Sequence, residues 1–257
     1  MNAIEIKNSL FTIVRKEIIR INRIWPQTVL PSAIMMTLYF VIFGAFIGSQ
    51  IRNINGFSYM AFIVPGIIMM SVITNAYMNV TSSFFSSKFV RSVEELMVSP
   101  TPNWVILVGY VLGGMYRGLL NGIVVMIVSL FFTKLSIFSI WMVLLYILLT
   151  SIVFSLGGFV NSIYAKKFDD ISIIPTFVLT PLTYLGGVFY PLSVLPPIWQ
   201  KISLLNPIVY MIDGFRYGLI DHADGSVVAG VCLIAGLNVA LGAACYGLLR
   251  RGWNLKF

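Results

Sequence analysis

Six apolar stretches with few charged residues follow one another along this chain of 257 residues. Each is close to the length of about 20 residues that a helix needs to cross the hydrocarbon core of a bilayer. Only helices and closed barrels satisfy their backbone hydrogen bonds inside lipid. The pattern therefore predicts an all-α integral membrane protein with six transmembrane helices, at residues 27–48, 58–82, 104–131, 139–163, 171–189 and 227–249.

The composition supports the membrane class. Hydrophobic residues make up 58% of the chain and charged residues only 10%, whereas a soluble domain usually has about 25% charged residues. The net charge of +8 is compatible with a nucleic-acid partner, but the basic residues form small groups between apolar runs and not one patch. We therefore expect membrane lipids, and no nucleic acid, among the partners.

Basic residues are distributed unevenly between the loops that join the predicted spans. With the N-terminus inside, the cytoplasmic segments contain twelve of them: Lys7, Arg15, Lys16, Arg20, Arg23, Lys88, Arg91, Lys166, Lys167, Arg250, Arg251 and Lys256. The opposite side contains four: Arg52, Lys134, Lys201 and Arg216. The positive-inside rule then predicts a multi-pass protein of a bacterial inner (cytoplasmic) membrane with both termini in the cytoplasm.

Residues 1–25 are predicted to form an amphipathic helix that lies at the membrane interface. At about 100° per residue, one face is an apolar stripe of Leu10, Phe11, Val14, Ile18, Ile21 and Trp25, and the opposite face contains Thr12, Lys16, Arg20 and Arg23. A basic face opposite an apolar stripe suits the inner leaflet. The alternative is a helix that packs on a soluble partner. Pro26 and Pro31 are expected to mark the bend into the first span.

The loop after the second span, "SSKFVRSVEELMVSPTPNW" at residues 86–104, predicts a short amphipathic helix. Ser92 and Glu95 have the spacing of a capping box, and Arg91 and Glu95 have that of an i, i+4 ion pair. The expected apolar face consists of Phe89, Val93, Leu96 and Met97, and Pro100 and Pro102 end the helix. Such a helix suits docking to another protein, and a solvated connector is the alternative.

The stretch "GGVFYPLSVLPPIW" at residues 186–199 is apolar but too rich in proline for an ordinary span. Pro191, Pro196 and Pro197 break the chain, "PIWQKISLL" predicts one short helix, and "IVYMIDGFRYGL" predicts a second after the turn at Asn206–Pro207. Non-helical backbone at membrane depth is tolerated where protein buries it or water lines it. The segment is therefore either a gate that dips into the membrane or an external apolar loop packed on the bundle.

Arg117 is the one charge that falls well inside a predicted span. An intramembrane cation usually faces a partner or a wet cavity, and the alternative is a side chain that extends toward the interface. Small residues surround it at the four-residue spacing that permits close helix contact, namely Gly109, Gly113, Gly114, Gly118 and Gly122.

Several kinds of chemistry lack their motifs in this sequence. No G-x-x-x-x-G-K-[ST] loop is present to bind ATP phosphates. His222 is the only histidine, and Cys232 and Cys245 are thirteen residues apart, which on a helix is roughly 20 Å. This excludes a zinc-ligand spacing and a disulfide between the two cysteines. We therefore expect neither a metal site nor an enzyme in the chain itself.

Two runs of the sequence resemble a known family. "VRSVEELMVSPTPNWVILVGYVLGG" is similar to the segment after the second span of ABC-2 type transporter permeases, and "FDDISIIPTFVLTPLTYLGGVFYPLSVLPPIWQKISLLNPIVYMIDGFRYG" is similar to the region before their last span. The resemblance extends over nearly the whole chain and is closest to the bacterial YadH-like permeases. It implies a single transmembrane domain over residues 1–257.

The resemblance also implies roles for two regions. Residues 86–102 correspond to the coupling helix that contacts an ATP-binding subunit, and the coupling residues would be Phe89, Arg91, Glu94, Glu95 and Leu96. Residues 190–225 correspond to extracytoplasmic re-entrant helices between spans five and six. The gate residues would be Phe189, Tyr190, Pro191, Pro196, Pro197, Asn206 and Pro207.

The function implied is that of a permease subunit of an ATP-driven (ABC) exporter. Such a subunit forms the translocation path as a homodimer and recruits two copies of a separate ABC ATP-binding subunit, which holds the ATP and the Mg²⁺. This chain itself would need no cofactor. The alternatives are a membrane scaffold or assembly factor, and a secondary transporter without an ATPase. The latter is disfavoured because no inverted repeat is evident and the acidic residues lie outside the predicted spans, with Asp170 at a boundary.

Overall fold

The computed structural model describes residues 2–48, 54 and 56–254. Apart from an isolated bridge between Ile54 and Phe57, the regular structure of this part of the chain is helical. Its α-helices, numbered α1 to α11, are Ala3–Arg23, Trp25–Tyr39, Tyr59–Phe89, Ser92–Val98, Asn103–Ser129, Ile140–Tyr164, Asp170–Ile174, Thr180–Tyr184, Pro197–Leu204, Pro207–Ile220 and Val227–Arg251. Two π-helical stretches, Phe40–Ile47 and Pro175–Leu179, continue α2 and precede α8, and Leu192–Val194 is a 3-10 turn.

Five helices are long and apolar enough to cross a membrane. They are Trp25–Gly44, Tyr59–Phe89, Asn103–Ser129, Ile140–Tyr164 and Val227–Arg251, which confirms five of the six predicted spans as helices. The second is longer than the predicted 58–82, because α3 continues to Phe89. Serines around this boundary are compatible with the helix because they can bond to its backbone, as Ser82 Oγ does to the Met78 carbonyl at 2.7 Å.

The predicted span 171–189 is not confirmed as an uninterrupted helix. It consists of α7, the π-helical stretch and α8, interrupted where Pro175 and Pro181 remove backbone donors. This part of the chain nevertheless extends along the length of α3. Lys88 near the last turn of α3 contacts the Ala165 carbonyl (Nζ–O 3.0 Å), and Tyr59 in the first turn contacts the Phe189 carbonyl (Oη–O 3.0 Å).

The central helix of the fold is α3. In its most apolar window 83% of the residues are buried, against 11% in the peripheral α11. Glycines of α5 allow the close approach that their spacing predicts, because a Cβ at Gly118 would lie only 3.1 Å from Ala76 Cβ, and one at Gly122 only 2.8 Å from Val72 Cγ2. The close-contact prediction for this face of α5 is confirmed.

The N-terminal helix α1 packs along α5 at two other glycines. Gly109 faces Ile13 and Gly113 faces Glu17, where an added Cβ would lie 2.8 Å from Glu17 Cβ. The buried residues of α1 are Ile13, Glu17 and Ile21, so the buried side of α1 coincides with neither of the two faces that the sequence predicts. Ile21 of the apolar stripe is buried in the protein, and Arg20 of the polar face bonds to α3.

The helices define two ends of the molecule. One end of the molecule, which we call the α4 end, contains α4, the last turns of α3, α6 and α11, and the first turn of α5. The opposite end, which we call the far end, contains the first turns of α3, α6 and α11 together with residues 184–220. Hydrogen bonds hold each together, for example Asn254 Nδ2 to the Ile163 carbonyl (2.7 Å) at the α4 end and Tyr146 Oη to the Val227 carbonyl (2.7 Å) at the far end.

Candidate functional site

The predicted short helix exists as α4, but its start differs from the prediction. Arg91, the residue before it, has a left-handed conformation (φ 61°), which turns the chain sharply after α3. Ser92 lies inside the helix and donates to the Ser87 carbonyl at 3.0 Å, so the predicted capping box is wrong. Arg91 and Glu95 both belong to the described residues, and no ion pair joins them.

One side of α4 is buried and the other is free for contact. Val93 is buried, and Leu96 and Met97 pack against the same apolar cluster. Among the predicted coupling residues, Phe89, Arg91 and Glu95 are exposed, while Glu94 and Leu96 are partly buried. The helix thus presents charged groups of both signs at the surface while its apolar face fixes it to the bundle.

Lys88 ties the end of α3 to the end of α6. Its side chain is only 2% exposed, and its Nζ donates to the carbonyl oxygens of Ile163 (2.7 Å) and Ala165 (3.0 Å). A cation is stabilised at a helix C-terminus, where carbonyl groups have no partner within the helix. From the sequence alone, Lys88 is placed among the cations of the cytoplasmic segments. Its structural role was missed because α3 extends further than its hydropathy indicates.

Phe168 joins the loop between α6 and α7 to the same place. Its ring makes T-shaped contacts with Phe85 (centroids 4.9 Å apart) and Phe89 (5.1 Å). Asp170 closes the loop, since its Oδ2 accepts from the backbone N–H groups of Lys166 (2.8 Å) and Lys167 (3.0 Å). These hydrogen bonds, with the positive charges of the two lysines, hold the pKa of the Asp170 carboxyl below its usual range.

Five aromatic side chains meet at the far end. Phe189 stacks on Phe43 with ring centroids 4.2 Å apart and contacts the rings of Tyr39 and Tyr184 at 5.7 and 5.8 Å. Tyr39 and Tyr184 share a hydrogen bond of 2.7 Å between their hydroxyls, and Tyr190 Oη donates to the Tyr184 carbonyl at 3.0 Å. This aromatic cluster joins the first span to the segment that follows α8.

The prolines and Asn206 of the predicted gate shape two short helices. Pro196 precedes α9 and Pro197 begins it, and Pro207 begins α10, in the first-turn position where proline is tolerated. Asn206 caps α10 by accepting from the Ile208 N–H (3.0 Å), and its Nδ2 donates to the Leu182 carbonyl (2.6 Å). Most of α10 is buried, whereas α9 exposes Ile198, Trp199, Ile202 and Leu204.

Arg216 on α10 holds this segment from inside. It is 2% exposed and donates through Nη2 to the Gly187 carbonyl (2.7 Å), while its guanidinium lies 4.0 Å above the centre of the Phe62 ring. Asp213 lies 3.9 Å away and accepts from the backbone of the following loop. The sequence placed Arg216 in an external loop, although Asp213 and Arg216 at i, i+3 within an apolar run were a detectable signal.

Arg117 and Glu17 are two of the charges at the junction of α1, α3 and α5. Arg117 is partly exposed, and its buried Nε has no hydrogen-bond partner among the described residues. Glu17 is fully buried and accepts from Arg20 Nη2 (2.8 Å) and Ser83 Oγ (2.7 Å). Sequence reasoning missed Glu17 because a position outside the predicted spans was taken to be solvated.

Comparison with known proteins identifies the family. The model of the ABC-2 type transporter family matches residues 8–220, from α1 to the end of α10. This chain belongs to the ABC-2 type transporter family. The matched part of the family domain contains α4 with its neighbours Lys88 and Phe168, the aromatic cluster and Arg216.

Individual relatives agree with the family match. The chain is 56% identical over 248 residues to the "Inner membrane transport permease YadH" of Escherichia coli (strain K12), covering 96% of this chain and 97% of that protein. It is 26% identical over 209 residues to "Nodulation protein J" of Sinorhizobium fredii (strain NBRC 101917 / NGR234), covering 80% and 79% of the two chains. The resemblance to ABC-2 permeases, and to YadH-like permeases among them, is confirmed.

Proposed function

We propose that this chain is the membrane-spanning permease subunit of an ATP-driven exporter in a bacterial inner membrane. The observation that carries the proposal is the family match over residues 8–220, together with 56% identity to a protein named as an inner membrane transport permease. The absence of a P-loop from the sequence means that ATP and Mg²⁺ bind to a separate subunit.

Two ATP-binding subunits dock at α4 in the proposed complex, one on each copy of a homodimer. Support comes from the construction of this helix, which is held by buried Val93 and leaves Arg91 and Glu95 exposed. Exposed charges of both signs suit recognition of a complementary charged surface. The proposed translocation path lies between the two copies.

The proposed topology has six crossings, with the α4 end in the cytoplasm. Lys16 Nζ lies 3.4 Å from Ser87 Oγ, and Asn254 contacts the Ile163 carbonyl, so both terminal regions reach the same end, as an even number of crossings requires. The broken segment at 171–189 is the fifth crossing. Residues 1–25 lie at the inner interface, and residues 190–225 re-enter the membrane from outside as the exit gate.

Closure of the ATP-binding subunits around ATP moves α4 in this mechanism. Lys88 and Phe168 transmit the movement to the end of α6 and to the start of the fifth crossing. That crossing ends at Phe189, where Arg216 and the aromatic cluster hold the exit closed. Pro175 and Pro181 each lack a backbone donor, so fewer helical hydrogen bonds oppose a change of shape in this segment.

Purification of the tagged chain in a mild detergent from its native host tests the proposal. We expect a P-loop ATPase to co-purify at one-to-one stoichiometry, and we expect the double variant Glu94→Lys/Glu95→Lys to lose it. Glu5→Lys, at an exposed position of α1, is the matched control and keeps the ATPase. A homo-oligomer that binds no ATPase in several detergents would overturn the proposal and favour a scaffold.

A further inference from the structure

The junction of α1, α3 and α5 contains more positive charge than its own residues neutralise. We call it the basic junction and define it as Lys16, Glu17, Arg20, Asn79 and Arg117. Three of these residues are cations and one is an anion. The carboxylate of Glu17 is already engaged by Arg20 Nη2 at 2.8 Å and by Ser83 Oγ at 2.7 Å. Glu17 therefore neutralises Arg20 and leaves Arg117 without a counter-charge.

Three buried donors of the basic junction have no acceptor within the described part of the chain. They are Arg20 Nε, Arg117 Nε and Asn79 Nδ2. Arg20 makes its bonds to Glu17 and to Asn79 Oδ1 through Nη2 alone, and the Arg117 guanidinium makes no hydrogen bond or ion pair to any described residue. Buried donors without an acceptor are costly away from water, as is the uncompensated charge of Arg117, and an anion would reduce both costs.

The helix register brings the two arginines together. Ile13 faces Gly109 and Glu17 faces Gly113, so α1 and α5 run side by side in the same direction. One turn further along, this register places Arg117 level with Ile21 and next to Arg20. A helical side chain inclines toward the N-terminus of its helix, so the Arg117 guanidinium is directed back toward the α4 end.

On the topology proposed above, α2 enters the membrane at Trp25, directly after α1 ends at Arg23. The basic junction lies beside the last turns of α1, so this topology places it close to the depth of the lipid headgroups. Trp25 is 52% exposed, and tryptophan is typical of the headgroup level. From there, α2 exposes Leu30 and Ile34 toward the hydrocarbon, which provides an apolar surface for acyl chains directly beside the cations.

We propose that the basic junction binds the phosphate of an anionic phospholipid of the inner leaflet, with Arg117 and Arg20 as its ligands. A guanidinium can donate two parallel hydrogen bonds to one phosphate. The exposed apolar face of α2 favours a lipid over a free phosphate. The lipid would fix α1 against α5 beside α3, whose last turn leads into α4. This inference rests on the proposed orientation of the chain, but not on the ATP-binding subunit.

Lipid titration of the purified full-length chain tests the site. The readout is the thermal unfolding midpoint in a neutral detergent as short-chain phosphatidylglycerol or phosphatidylcholine is added. We expect phosphatidylglycerol to raise the midpoint saturably and phosphatidylcholine to leave it nearly unchanged. Arg117→Gln and Arg20→Gln should each weaken the apparent affinity about tenfold, the loss expected for one charge-assisted hydrogen bond.

The matched control is Arg15→Gln, because Arg15 is an exposed cation of the same helix α1 outside the basic junction. It should bind phosphatidylglycerol as the native chain does. An equal loss in Arg15→Gln would show diffuse attraction to the surface and overturn the proposal, and so would unchanged affinity in Arg117→Gln. Arg117→Lys, which keeps the charge without the bidentate geometry, gives the test if Arg117→Gln does not fold, and should bind with intermediate affinity.

A further measurement separates the two sources of phosphate. Inorganic phosphate at matched concentrations should not raise the midpoint, and an equal rise with it would overturn the lipid assignment in favour of a soluble anion. None of these assays contains ATP or an ATPase. Failure to bind lipid would therefore leave the exporter proposal standing, and loss of the exporter proposal would not by itself remove the lipid site.

Discussion

At the scale of single residues, two buried cations fix backbone carbonyls near the two ends of the broken segment. Lys88 donates to the carbonyls of Ile163 and Ala165 before it, and Arg216 donates to the carbonyl of Gly187 near its end. Both cations are 2% exposed. Because both side chains are buried and donate to carbonyl oxygens of other elements, these residues position the chain.

Replacing Lys88 tests this positioning role. Lys88→Met keeps much of the side-chain volume but removes the donor of the Ala165 carbonyl and one of the two side-chain donors of the Ile163 carbonyl, which keeps Asn254. We expect the free energy of unfolding to fall by about 1–3 kcal/mol, measured by thermal unfolding in detergent. Lys134→Met, at an exposed position, should change it by less than about 0.5 kcal/mol. Similar effects at both positions would contradict the assignment.

Single residues also show where sequence reasoning stops. Arg117 was detected because a charged residue inside an apolar run can be recognised from the sequence alone. Lys88 and Glu17 were not, because their burial depends on α3 continuing beyond its apolar run and on α1 packing against α5. The contacts that bury these charges are between residues far apart in the sequence, and one sequence does not reveal them.

At the scale of elements, glycines determine which helices touch. Gly109 and Gly113 receive α1, while Gly118 and Gly122 on another face of α5 receive α3. The four-residue spacing predicted close packing but not the partner helix. Likewise, hydropathy located five spans, because a run of about 20 apolar residues is by itself long enough to indicate a membrane-crossing helix. The start of α4 could not be read in this way, since it depends on the left-handed Arg91.

A pair of glycine substitutions tests the packing of α1. In Gly113→Ala the new methyl group would lie 2.8 Å from Glu17 Cβ, so α1 must shift, and we expect a loss of about 1–3 kcal/mol in the free energy of unfolding. Gly236→Ala on α11 meets nothing within 4 Å and should be neutral or stabilising by up to about 1 kcal/mol. The thermal unfolding of both variants is measured. An unchanged free energy of unfolding in Gly113→Ala would exclude the tight contact between α1 and α5.

At the scale of the whole molecule, one continuous route joins the two ends. It runs from α4 through Lys88 and Phe168 into the broken segment and reaches Phe189, which stacks on Phe43 at 4.2 Å between ring centroids. That segment contains a π-helical stretch, a distortion that is frequent at functional sites. We propose that ATP-driven movement at α4 separates Phe43 from Phe189.

A cross-linking measurement tests this claim most directly. The pair Phe43→Cys/Phe189→Cys is placed in a chain whose free cysteines, Cys232 and Cys245, are replaced by alanine. The complex with the proposed ATP-binding subunit is then treated with a short thiol cross-linker. We predict efficient cross-linking without nucleotide and a several-fold loss when ATP is trapped, with the loss abolished by Phe168→Ala. Cross-linking that stays the same with trapped ATP would contradict the account.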